Sequence, residues 1–266
     1  MSKKTLAYFT FVLFSLAYPA SSFSPARFAG NRINRAARVT EASNVAIRTQ
    51  AFEDYVLTVY NEANLKHTNL DYTVFRKALV GYYNLLVKPA QPIKPIISVI
   101  DFSKSSREKR LWVIDLKNKK LLFNTLVAHG RGTGSEYARF FSNEPNSFKS
   151  SLGFYLTSHT YYGKHGLSLK LNGLDKNFNT NANARAVVLH GADYVSESFI
   201  KQYGRLGRSL GCPALPVEVT TTIIQQIKNN SCLYIYAPDE TYTSDFLKEA
   251  SAIDSFATQF LPGKAI

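Results

Sequence analysis

The sequence predicts a mainly β protein, a mostly antiparallel sheet or sandwich domain with flanking α-helices at both ends. Three observations predict it. Sixteen Tyr and eighteen Phe against one Met and one Trp suit the half-buried, pleated surface of a sheet. Apolar residues at helical spacing gather towards the two ends of the chain. Between them, after Pro89, Pro92 and Pro95, the pattern changes to short apolar runs bounded by turn residues. A hydrophobic fraction of 45% over 266 residues supports a packed core and excludes wholesale disorder.

At the N-terminus, Lys3 and Lys4 precede an apolar run from Leu6 to Tyr18, and Pro19, Ala20, Ser21 and Ser22 supply the small residues a signal peptidase accepts. Residues 1–22 therefore read as a cleaved secretory signal, with delivery to the periplasm or cell envelope. A membrane anchor ranks second, because the run is shorter than the roughly 20 apolar residues that span a bilayer. Residues 23–45 are basic and weakly periodic, and read as a flexible lead. A helical hairpin is expected over 46–90. Phe52, Tyr55, Val56, Val59, Tyr60 and Ala63 line one face of its first helix, and Asp71 caps a second carrying Tyr72, Phe75, Leu79, Tyr82, Tyr83 and Leu86.

The main domain is expected over 96–238. Its strand candidates are 96–100, 111–116, 121–128, 153–157, 168–171, 186–189 and 233–236, with a turn at 117–120 and one helix near 217–228. In the last segment, 239–266, Ser244 would cap an amphipathic helix bearing Phe246, Ala250, Ile253, Ala257 and Phe260, stopped by Pro262 and Gly263. No internal repeat is present.

The formal charge of +13, or +11 once Lys3 and Lys4 leave with the signal, favours an anionic partner. Nucleic acid is excluded as the first choice, because the basic residues are scattered and match no nucleic-acid-binding fingerprint. A carboxylate-rich cell wall or an anionic envelope surface fits an exported basic protein better.

Two cysteines permit one disulfide in an oxidising compartment. Cys232 opens the apolar run Leu233-Tyr234-Ile235-Tyr236 and reads as a buried residue at a strand start. Cys212 has other surroundings: a Gly-rich approach, Gly204 to Gly211, and a helix start soon after. Nearby positive charge and a helix N-terminus favour thiolate, so Arg208 and the helix at 217 predict a reactive thiol with a depressed pKa. Pro213 holds Cys212 extended and lacks an N–H, which leaves the N–H groups of Cys212, Gly211 or Leu210 for an oxyanion hole. His190 ends the run Ala186-Val187-Val188-Leu189, just before Gly191. It reads either as the base for Cys212 or as a core histidine bonded to backbone.

The stretch from about Ile97 to Pro238 resembles the murein L,D-transpeptidase catalytic-domain family. The likeness rests on His190 followed by Ser209-Leu210-Gly211-Cys212, together with Val127-Ala128-His129-Gly130-Arg131-Gly132, Phe141-Ser142-Asn143, Ser150 to Tyr155, His190 to Val195 and Gly211-Cys212-Pro213-Ala214-Leu215-Pro216. Much of that family has His where this chain has Leu210 and Arg where it has Ala214. A second imidazole beside the thiol and an adjacent carboxylate binder are therefore absent from those positions.

The resemblance implies a Cys212 nucleophile, a His190 base and Ser209 or a carbonyl near Gly191 orienting the imidazole, with Gly211 in the oxyanion loop. Substrate carboxylates would fall to Arg205 or Arg208. His129 would either replace the missing imidazole or serve as a turn histidine with a structural hydrogen bond. His159 and His165 flank Tyr161-Tyr162-Gly163, which by family position would form the mouth of the groove, with Tyr162 touching substrate. The implied substrate is the peptidoglycan stem peptide, and the implied product a 3-3 cross-link. Cofactor and metal are not required, since no paired short-spaced ligand motif accompanies His129, His190 and Cys212. The alternatives are an L,D-carboxypeptidase or hydrolase using the same site, a wall-binding module without chemistry, and a charge-driven nucleic-acid or membrane binder.

Overall fold

The computed structural model describes residues 26–87 and 93–261, with side chains from residue 41 onward. The expected signal, Pro89, Pro92, Pro262 and Gly263 lie outside the described residues. The chain divides into two compact units, Met1–Ser43 and Asn44–Ile266. Helix α1 is Ala26–Glu62, so the lead expected to be flexible is helical from Ala26. Its Ala and Arg content favours helix without giving the apolar stripe that periodicity detects.

In the second unit, a short 3-10 turn, Leu65–Thr68, joins α1 to α2, Tyr72–Leu86. Asp71 caps α2 as expected, accepting from the N–H groups of Thr73 and Val74. Eight strands follow: β1 Ile96–Asp101, β2 Leu111–Asp115, β3 Lys120–Thr125, β4 Gly153–Gly163, β5 Gly166–Gly173, β6 Val188–Gly191, β7 Ala214–Leu215 and β8 Cys232–Tyr236. Helices α3, Glu197–Tyr203, and α4, Val217–Ile227, flank β7, and α5, Glu249–Phe260, follows β8. Ser244 caps a 3-10 turn, Asp245–Leu247, not the last helix, which begins at Glu249 after Lys248 takes an extended backbone.

The strands form one sheet in the order β3-β2-β1-β8-β4-β5-β6-β7. It is mixed: β1–β8 and β6–β7 are parallel, and the other ladders are antiparallel. Alternation along β2 explains its two faces. Trp112 and Ile114 join the cluster with α1, α2 and α5, while Leu111 and Val113 face the cluster that holds Ile223, Ile224 and Ile227 of α4. The helices therefore share the sheet's core. Phe52, Tyr83 and Phe256, one from each of α1, α2 and α5, meet edge to face with centroids 5.3–5.8 Å apart. Trp112 fixes the helical layer to the sheet by donating its indole N–H to Thr68 Oγ1 at 2.9 Å.

Asp175 ties the C-terminal segment down. Its carboxylate accepts from Phe154 N at 2.7 Å, Tyr242 OH at 2.7 Å and Ser244 Oγ at 2.5 Å. Gly153 is required beside it, because φ is +108° and a Cβ there would sit 2.1 Å from Asp175 Oδ2. Replacing Asp175 by Ala would strand three donors in a largely buried place, so we expect a loss of about 2–4 kcal/mol. Urea unfolding of the purified variant measures it, and a loss under 1 kcal/mol would contradict this account.

Candidate active site

The chain leaving β3 turns back onto β7. Ala128 N–H donates to Ala214 O at 2.8 Å, and Ala214 N–H to Ala128 O at 3.3 Å. On its other side, Ala214 is in register with His190 of β6. A strand pairing of two residues therefore delivers Cys212, two positions earlier, to the flank of β6. The Cys212 sulfur accepts from Val188 N–H at 3.4 Å, and its S–H faces Ala186 O at 3.7 Å. His190 lies two residues further along the same strand, so Val188 and His190 share a face.

His190 is buried, with Nδ1 2.8 Å from Gly191 O. A carbonyl only accepts, so Nδ1 carries the proton and Nε2 is left as the acceptor. Of the two orienting groups considered, the carbonyl holds the imidazole. Ser209 has another task. Its Oγ donates to Cys212 O at 2.5 Å and accepts from Gly211 N–H at 3.1 Å, bracketing the turn before the thiol. The Gly211 N–H is thereby taken up. Gly211 itself has φ +129°, and a Cβ there would lie 2.9 Å from Lys149 O, so the turn requires glycine.

The expected depressed thiol pKa is not found. Burial pushes the Cys212 thiol up, against the smaller lowering by Val188 N–H and by the Arg185 guanidinium. Arg208 is not the neighbouring cation: it donates to Gly134 O at 3.0 Å, and Arg205 donates to Leu206 O at 2.6 Å. Sequence reasoning missed Arg185, which carries no local motif. His190 is also held towards its neutral form, first by burial and then by the nearby His165. The resting pair is thus thiol and imidazole, not thiolate and imidazolium.

His129 is buried. Its Nδ1 is 2.8 Å from Nη2 of Arg110, a fully buried residue, and its Nε2 is 3.4 Å from Gly134 O. Burial, with Arg110 beside it, pulls its pKa down to about 3, so its ring is a neutral structural group. Its carbonyl does serve the site, accepting from Ser209 N–H at 3.0 Å. A second imidazole reaches His190 from elsewhere. β4 and β5 form a hairpin whose turn carries His165, and that ring stacks on His190 with centroids 4.3 Å apart. Tyr162, on the same hairpin, is 83% exposed, and Leu210 is 62% exposed. Tyr194 is half-buried and electrostatically coupled to the Cys212 sulfur.

Cys212 and Cys232 are both free, and Cys232 is buried. Among the described residues no three His, Cys, Asp or Glu side chains converge to hold a metal ion, and no helix is long and apolar enough to cross a membrane. A cavity of about 620 Å³ lies between Asn84, Asp175, Phe178 and Phe246, away from Cys212, and none of its lining residues is a cysteine or histidine.

A half-buried thiol and an acceptor imidazole are thus both tied to β6 of a mixed sheet, the thiol through Val188 N–H and the imidazole as part of the strand. The chain belongs to the L,D-transpeptidase catalytic domain family, which it matches over residues 66–236. Solved structures give more distant likenesses. An L,D-transpeptidase from Mycobacterium smegmatis shares 10% identity over 54% of this chain and 59% of its own, with a TM-score of 0.34. An L,D-transpeptidase (Yku) from Stackebrandtia nassauensis shares 16% over 64% and 69%, TM-score 0.32. The helical cell shape determining protein Pgp2 (K307A mutant) from Campylobacter jejuni shares 13% over 69% and 64%, TM-score 0.39. The chain thus spans under two thirds of the Mycobacterium smegmatis chain. No curated protein sequence matches it.

Alkylation of the native protein followed across pH tests the thiol assignment. Cys212 should label alone, with a midpoint above the ordinary thiol value of 9.0, while Cys232 stays silent until unfolding. Equal labelling of both would contradict it.

Proposed function

We propose that the protein is an exported, peptidoglycan-modifying cysteine acyltransferase, an L,D-transpeptidase that forms 3-3 cross-links. The observation that carries the reading is the Cys212 sulfur bonded to Val188 N–H of β6, two residues from an imidazole whose Nε2 is the acceptor, in a chain of this family. Export rests on Lys3, Lys4 and the apolar run to Tyr18. It would place the basic chain, of net charge +13 with the signal, against carboxylate-rich wall.

The sulfur attacks the carbonyl joining the third stem residue, a diamino acid, to the fourth, D-Ala. His190 Nε2 takes the thiol proton as the carbon–sulfur bond forms, and the Cys212 N–H faces the developing oxyanion. The carbon–nitrogen bond then breaks, the proton passes from His190 to the leaving amine, and D-Ala departs from a thioester. An amine of a neighbouring stem attacks the thioester, His190 removes its proton, and the thiol is restored. Arg205 and Arg208, both part-exposed on the loop before Cys212, and the exposed Tyr162 are the substrate-facing side chains of this reading.

The mature protein given a tetrapeptide-bearing muropeptide should release D-Ala and yield a 3-3 dimer, read by chromatography and mass. Cys212→Ala should abolish turnover. His190→Ala should cost about 10²- to 10⁴-fold. Free tripeptide without dimer would make the protein a hydrolase with the same site. Unchanged turnover in Cys212→Ala would end the enzyme reading.

The same assay across pH tests the base. A base of lowered pKa stays unprotonated further into acid, so the acid limb of kcat/KM should fall below the ordinary imidazole value of 6.5. An acid limb above it would contradict the neutral-pair account.

A further inference from the structure

Arg185 stands over the nucleophile loop and forms no ion pair among the described residues. Its Nη1 donates to Ser142 O at 2.8 Å and Ser151 Oγ at 2.5 Å, and its Nη2 to Lys149 O at 2.6 Å and Ser147 Oγ at 3.3 Å. All four acceptors are uncharged and belong to one segment, 142–151. That segment grips the loop in turn: Ser150 Oγ donates to Gly211 O at 3.0 Å and accepts from Gly130 N–H at 3.0 Å. Nη2 is 3.5 Å from where a Gly211 Cβ would stand.

The residue after Arg185 adds a second observation. Ala186 has φ +53°, a left-handed conformation that costs a non-glycine residue energy and tends to occur where surrounding structure and function impose it. That corner directs Ala186 O towards the Cys212 sulfur and starts the strand whose Val188 N–H binds it. Arg185 gives its hydrogen bonds only to neutral acceptors and Glu144 acts on it without an ion pair, so this half-buried cation still favours an anion that forms beside it.

We propose that Arg185 is a positioning residue for Cys212: it clamps segment 142–151 onto the nucleophile loop and offers a positive charge, bonded to no carboxylate, to the sulfur as it becomes anionic. The proposal rests on the reading of Cys212 as nucleophile, but its test needs no substrate, so its failure and the failure of that reading are separable.

Iodoacetamide labelling of Cys212 against pH, followed by peptide mapping on the mature chain, reads the sulfur directly. Tyr194 also acts on the sulfur but is raised to about 12 by burial and so is neutral over the useful range, while Tyr155 and Glu144 act on Arg185 itself. Arg185→Gln should move the labelling midpoint up by about one pH unit or more, the usual effect of losing an adjacent opposite charge. Arg185→Lys keeps the charge with fewer donors, so its midpoint should stay nearer the wild type while Tm falls. If Arg185→Gln does not fold, citrulline at position 185, with arginine's shape and no charge, replaces it. A midpoint unmoved in the folded uncharged variant overturns the proposal and leaves Arg185 a purely structural residue.

Discussion

Ala214 is held from two sides at once, by Ala128 through a pair of backbone hydrogen bonds and by its register with His190. The site depends on that double pairing, because β7 is only two residues long and its second residue, Leu215, adds a register with Gly191 and accepts from Ala192 N–H at 2.9 Å. Pro213 contributes no donor and keeps the approach extended. On the other side, the Ser209 hydroxyl bridges Gly211 N–H and Cys212 O. The Cys212 thiol therefore sits between two anchored points. Small side chains make this possible: Ala128, Ala192 and Ala214 form their own cluster with Leu126, Val195 and Leu206, letting the backbones approach closely.

Charge placement follows a common logic at two positions. Arg110 is fully buried and Arg185 partly so, and neither is closed by a carboxylate ion pair among the described residues. Arg110 spends its donors on Val127 O, Lys104 O and His129 Nδ1, which fixes the His129 tautomer and keeps that ring neutral. Arg185 spends its own on segment 142–151. The two differ in what lies next to them: a histidine with both nitrogens engaged in one case, a titratable thiol in the other. At Cys212 burial outweighs the guanidinium, so the resting sulfur is protonated and charge develops there only when a proton acceptor is used.

The buried strands were legible as short apolar runs bounded by turn residues, β1, β2 and β8 being covered on both faces, and α2 because Asp71 is a capping residue before an apolar stripe. Cys212 and His190 were legible by residue type and by their order in a family pattern. What escaped shares one cause, which is that its signal is not local. β7 exists only through partners far away in sequence, and α3 is seven residues with none buried, too short for a stripe to register. Arg185 lies 27 residues before Cys212 and meets its surroundings only once segment 142–151 has folded over both. The thiol's upward shift escaped for the same reason. Arg208 and a downstream helix are visible in sequence, whereas desolvation belongs to the folded chain.

The leucine at position 210 shows how position in sequence and position in space part company. A histidine there would project from a side chain site that is 62% exposed, where its charge would be well hydrated. The imidazole that does approach His190 arrives from the β4–β5 turn, with His165 stacked on it at 4.3 Å and 25° between planes. A stacked ring covers one face of His190, excludes water from it and fixes its plane. It also opposes a positive charge on its neighbour, acting in the same direction as burial. The Gly191 carbonyl works against both, because its bond from Nδ1–H strengthens when the ring is charged. Burial and the stack prevail, which keeps Nε2 free to accept while the hydrogen bond from Nδ1 holds the ring in place.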